Sequence, residues 1–117
     1  MSIVRRKSEV PVESRVMFGG RGEVEAHKIL VGADEMYGKG RLFNHVVLKP
    51  GCSLGWHVHQ GDGETYYFLK GHGEYSDNGS LIPVGPGDMT FVDSGEGHSV
   101  ENTGDEDLEF IALILYK

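Results

Sequence analysis

The chain has 117 residues, with 18 acidic against 11 basic side chains and a formal charge of -7; the length suits one compact domain, residues 1–117, and the charge excludes a phosphate backbone such as nucleic acid as partner. Its one cysteine, Cys52, has no partner for an internal disulfide, so a cytoplasmic setting with Cys52 as a small packed thiol is expected. No apolar run reaches the roughly 18 residues of a membrane span, and residues 1–6 lead into charge rather than into a signal-peptide core.

Arg5, Arg6 and Lys7 open the chain as a solvated, charged edge strand. Eighteen glycines punctuate β-branched and aromatic runs, a pattern of short strands joined by tight turns. Strands are expected at 24–31, 42–48, 55–59, 65–69, 73–76, 81–84, 89–92, 98–102 and 108–116. Residues 34–37 are flanked by glycines and read as a loop rather than a helical turn. Asp77-Asn78-Gly79 marks a hairpin over 71–84, because Asn followed by Gly tolerates positive φ. The nearly continuous apolar run at 108–115 fits a strand buried on both faces or lying under a partner's N-terminal segment. With no helix to cover a sheet, these strands must bury their faces against one another, so the fold is all-β, a sandwich or closed barrel.

Chemistry concentrates in two stretches. His57 and His59 stand two residues apart, a spacing that points both rings to one face of a strand. Gln60-Gly61-Asp62-Gly63 then turns the chain and brings Glu64 beside them on the next strand. A lone histidine reads as a surface or carbonyl-bonded residue; a buried set with no ion would leave unsatisfied polar atoms.

Gly51-x5-His57-x-His59-x4-Glu64-x6-Gly71 resembles the first motif of the cupins, and Gly87-x5-Asp93-x-Gly95-x2-His98-x3-Asn102 resembles the second, with Asp93 where that pattern has proline. The exchange loosens the turn before His98 and removes no ligand. The resemblance, over motifs at 51–71 and 87–102, implies a double-stranded β-helix (jelly-roll) barrel. It implies one divalent metal ion on His57, His59, Glu64 and His98, and N-terminal strands within 1–31 at the barrel edge or a homodimer interface. Three imidazoles and a carboxylate suit manganese, the leading expectation, or iron, zinc, nickel or cobalt. Four protein ligands leave an octahedral ion two open positions for a bidentate substrate or dioxygen.

Residues 40–43, 63–67 and 73–79 make the chain similar to small single-domain cupins grouped with oxalate decarboxylases. A small carboxylate is therefore the expected ligand, with decarboxylation or oxidation as the reaction. The alternatives are a non-catalytic sensor or auxiliary protein, a dioxygenase or a sugar isomerase. Arg41 is the candidate carboxylate clamp, and Glu96, with Glu35 behind it, the candidate proton carrier. Tyr66 and His45 are candidate pocket residues for the substrate. By alternation Tyr66 and Phe68 share the face of Glu64, Val100 and Asn102 that of His98, and Trp56 lies outside. His27 and His72 are expected to face solvent.

Overall fold

The structure, a computed structural model, describes residues 2–117; Met1, the first residue of the opening stretch, lies outside them. Six strands, β1 (Val12–Arg15), β2 (Val24–Leu30), β3 (Gly40–Leu48), β5 (Asp62–Lys70), β8 (Met89–Val92) and β10 (Leu108–Tyr116), form one sheet in the order β1-β2-β3-β10-β5-β8. Four more, β4 (Ser53–Val58), β6 (Gly73–Asp77), β7 (Ser80–Val84) and β9 (Gly97–Glu101), form a second, β4-β9-β6-β7. Every pair is antiparallel. From β3 onward the chain crosses between the sheets at each connection except the β6–β7 hairpin, the winding of the expected double-stranded β-helix.

Period-two burial fixes what faces inward. On β10, Leu108, Phe110, Ala112 and Ile114 are buried and the residues between them half-buried, so this strand is covered on one face and partly shielded on the other. On β5 the inward set is Asp62, Glu64, Tyr66 and Phe68, polar at one end and aromatic at the other. The aromatic end joins Leu48, Val100, Leu108 and Phe110 in the core. The polar end opens a separate inward space, where the candidate site lies.

Asn78 and Gly79 both take positive φ, 52° and 99°, as the β6–β7 hairpin turn requires. Three local expectations need correction. Residues 34–37 are no plain loop: a single helical turn, α1 (Gly32–Glu35), forms there, because the Glu35 carboxylate accepts from the Val31 backbone N–H at 2.9 Å and pairs with Arg5. Arg5 to Lys7 do not form an edge strand; a 3-10 turn over Lys7–Glu9 follows Arg6, and the edge strand is β1, paired with β2 from Val12↔His27 to Arg15↔Val24. All four β1 residues are exposed, so no alternation announces it. His27 is half-buried, with Nε2 2.7 Å from Glu25 Oε2, whereas His72 is exposed.

Candidate metal centre

β4 and β9 are neighbours with His57 paired directly to His98. His59 lies just past β4, tied in by its N–H donating to Glu96 O and its carbonyl accepting from Gly95 N. Gly61, at φ 77°, turns the chain from the four-stranded sheet into the six-stranded one, so that Glu64 reaches the three rings from the opposite wall. One donor atom from each of the four residues lies within 4.8 Å of all the others. His98 Nε2 is 3.0 Å from both His57 Nε2 and Glu64 Oε1, and His59 Nε2 is 3.2 Å from His98 Nε2 and 3.1 Å from Glu64 Oε1.

The far side of each ring is occupied. His57 Nδ1 donates to Gly55 O at 2.9 Å, His59 Nδ1 to Asp62 Oδ1 at 2.8 Å and His98 Nδ1 to Tyr75 Oη at 2.8 Å. In the neutral rings this leaves three Nε2 lone pairs and a carboxylate facing one point, an arrangement that repels itself unless a cation sits among them. Adjacent donors about 2.1 Å from a shared ion stand about 3.0 Å apart; the four spacings above fall at 3.0–3.2 Å, and His57 Nε2 lies 3.5 Å from Glu64 Oε1. The residues therefore fit a divalent metal of the kind that takes mixed imidazole and carboxylate ligands.

Electrostatics agree. With no ion among them the Nε2 atoms can carry protons instead; burial pushes the Glu64 carboxyl up, but the hydrogen bonds that His57, His59 and His98 then donate outweigh it and hold the group well below the usual carboxylate range. Burial lowers His98 despite the Glu64 carboxylate, while the hydrogen bond to Glu64 raises His59. The Tyr66 ring stacks on His98 at 4.9 Å between centroids, and burial drives its hydroxyl far above the usual range.

His57, His59, Glu64 and Tyr66 line a cavity of about 300 Å³ together with Leu42, Val46, Leu54, Ala112 and Ile114 and the basic side chains of Arg15, Lys28 and Arg41. A barrel of this winding that gathers His-x-His, a glutamate from the next strand and a later histidine at one end has a recognisable counterpart: the cupin domain family matches residues 44–114. The chain belongs to the cupin family. This cupin is 48% identical over 114 residues to the oxalate-binding protein of Thermotoga maritima, covering 97% of the chain and 93% of that relative. It superposes with a TM-score of 0.92 on the crystal structure of a predicted oxalate decarboxylase from Thermotoga maritima, at 47% identity and over 98% and 100% of the two chains. The polyketide cyclase RemF of Streptomyces resistomycificus shares the fold alone, with a TM-score of 0.77 at 22% identity over 99% of this chain and 80% of that one.

The other candidates divide. Arg41 and Tyr66 line the cavity. Arg41 Nε donates to Asp62 Oδ2 at 2.8 Å, and its terminal nitrogens have no partner among the described residues. The Tyr66 hydroxyl is fully buried and has no hydrogen-bond partner among the described residues. His45 does not join them: it projects from the outer face of β3, 2.8 Å from Glu109, because the inward residues there are Asn44 and Val46. Glu96 also stands apart, accepting from Asp93 N and Asn78 Nδ2; it restrains the loop in which Asp93 replaces proline. Glu35 is spent on α1. Trp56 lies outside as expected, against Gly97, and Cys52 is half-buried beside the core. Phe68, Val100 and Asn102 are buried, but Asn102 ties Leu48 O and Glu106 O rather than the site.

Sequence reasoning missed Asp62 and Tyr75, the side-chain partners of His59 and His98. Asp62 sat inside a turn-rich stretch; its signal was the position three residues after His59, where a carboxylate can return to the ring.

Proposed function

We propose that this cupin holds one divalent transition metal ion, manganese foremost, on His57, His59, Glu64 and His98, and binds a small carboxylate such as oxalate in the cavity beside it. The observation that carries the reading is the convergence of three Nε2 atoms and one carboxylate oxygen on one point, with His57, His59, Glu64 and Tyr66 lining the cavity beside it. A bound ion of this class supplies Lewis acidity toward carboxylate oxygens. The chain's own groups complete the recognition. Arg41 offers its terminal nitrogens as a fork for a carboxylate. Tyr66, kept protonated by its burial, donates its O–H. Val46, Leu54, Ala112 and Ile114 keep the surroundings apolar, which strengthens both contacts. The name of the Thermotoga maritima relative, an oxalate-binding protein, supports the same ligand.

A second reading, turnover of oxalate, draws on the likeness to a predicted oxalate decarboxylase. Decarboxylation requires a proton for the carbon that loses carbon dioxide. Among the described residues the carboxylates on the cavity are Glu64, engaged by the three imidazoles, and Glu13, 3.3 Å from Lys28. Glu96 and Glu35 are held elsewhere. Binding is therefore the leading function. Calorimetry with oxalate on manganese-loaded and metal-free protein, with a parallel assay for carbon dioxide and formate, tests it. The expected result is metal-dependent binding without product; steady carbon dioxide release would replace binding by catalysis, and no binding by the loaded protein would overturn both.

A homodimer in the cytoplasm completes the proposal. Tyr67, Leu69, Met89 and Phe91 stand half-exposed on the outer face of β5 and β8, an apolar surface suited to a second copy. Light scattering at twice the chain mass is the expected outcome.

A further inference from the structure

The connection between β1 and β2 runs across the metal centre. Phe18, at its tip, stacks on His57 with ring centroids 4.2 Å apart and planes 14° from parallel, and it lines the cavity with Met17. Its backbone sits at φ 53°, a left-handed conformation that a bulky residue rarely adopts and that persists only where surrounding contacts impose it. Those contacts are present. Gly20 N and Gly55 N both donate to Met17 O, at 3.0 and 3.1 Å, and Ser53 N donates to Arg21 O at 2.8 Å. Gly20 and Gly55 let the two backbones touch, since a Cβ on either would run into the other segment. The turn is thus stapled to β4 two residues before His57.

His57 is the imidazole most in need of this cover. His59 and His98 have side-chain partners on Nδ1 and side chains 2% and 0% exposed. Among the described residues His57 Nδ1 meets only the Gly55 carbonyl, yet its side chain is 8% exposed although Phe18 above it is 56% exposed. The Phe18 ring, stacked on it, covers one face of this ligand.

We infer that Phe18 is a positioning residue of the metal centre: its ring holds the plane of His57 and keeps water off it, and so sets how slowly the metal leaves. The inference rests on the four-residue metal reading above.

The test loads wild type, Phe18→Ala, Phe18→Leu and Phe18→Trp with zinc and follows release to a colorimetric chelator in excess. Loss of an outer partner of a metal ligand typically weakens binding 10- to 100-fold, so Phe18→Ala is expected to release zinc on the order of tenfold faster. Phe18→Trp, which keeps a flat ring, stays near wild type, and Phe18→Leu falls between. Circular dichroism of the metal-free variants should match wild type, because the replaced side chain is mostly exposed. Stoichiometric zinc with equal release rates in wild type and Phe18→Ala would overturn this inference alone. Equally fast release from Phe18→Trp and Phe18→Ala would also overturn it, since a flat ring would then have no special effect. A wild type that takes up no zinc would overturn the metal reading and this inference with it.

Discussion

Asp62 joins the two halves of the site. One carboxylate oxygen accepts the hydrogen bond from His59 Nδ1–H, and the other accepts from Arg41 Nε. Burial pushes this carboxyl up, but Arg41 and then His59 prevail and lower it; it therefore stays ionised and fixes both the tautomer of a ligand ring and the direction of the guanidinium. Replacing Asp62 by Asn removes the charge that orients His59, so metal affinity should fall about 10- to 100-fold by chelator competition. Arg41→Met acts on the other half. It deletes charge-assisted hydrogen bonds to a bound carboxylate, each about 1.5–3 kcal/mol. Oxalate affinity should fall about tenfold or more by calorimetry while metal content stays stoichiometric.

At the scale of elements, the site depends on β4 accepting a neighbour at backbone distance. Gly55→Ala would place a methyl group against the Phe18 carbonyl, and such overpacking costs about 1–3 kcal/mol; a lower urea midpoint at unchanged m-value is the expected result. How far these elements were legible in the sequence follows from their periodicity. The two-residue spacing of His57, on β4, and His59, just beyond its end, puts both rings on one face, and Asn78-Gly79 names its own turn. The facing of His45 was not legible because residues 42–48 are apolar on both parities, and only its pairing with His27 on β2 and Ile111 on β10 decides it. The fully exposed β1 carries no pattern at all. Phe18 reaches His57, and Arg41 reaches Asp62, only through tertiary contacts between segments distant in sequence.

For the whole molecule, the residues of the centre and the Asp62 beside them make stability depend on pH and metal. Glu64 and Asp62 are both lowered in the folded state, so the stability they contribute to the metal-free protein is present above their ordinary values and is lost as pH falls through the folded ones. His59, raised, works in the opposite sense: its contribution is present below the ordinary 6.5 and is lost as pH rises through the folded value. His98, lowered, partly cancels it. A metal that binds only the folded, deprotonated site adds to this, about 2.7 kcal/mol at a hundredfold excess over Kd. Melting curves from pH 4 to 8 should show a manganese-dependent rise in Tm at neutral pH that shrinks below about pH 6.5, where free imidazoles protonate. The metal-free protein should weaken steeply only near and below the ordinary carboxylate value of 4.5. The central claim, that these four side chains are one metal centre, is met most directly by anomalous diffraction from a manganese-loaded crystal. The account predicts a single strong peak about 2.1–2.3 Å from Nε2 of His57, His59 and His98 and from a Glu64 oxygen; a map with no peak there, or with its metal bound elsewhere, would contradict it.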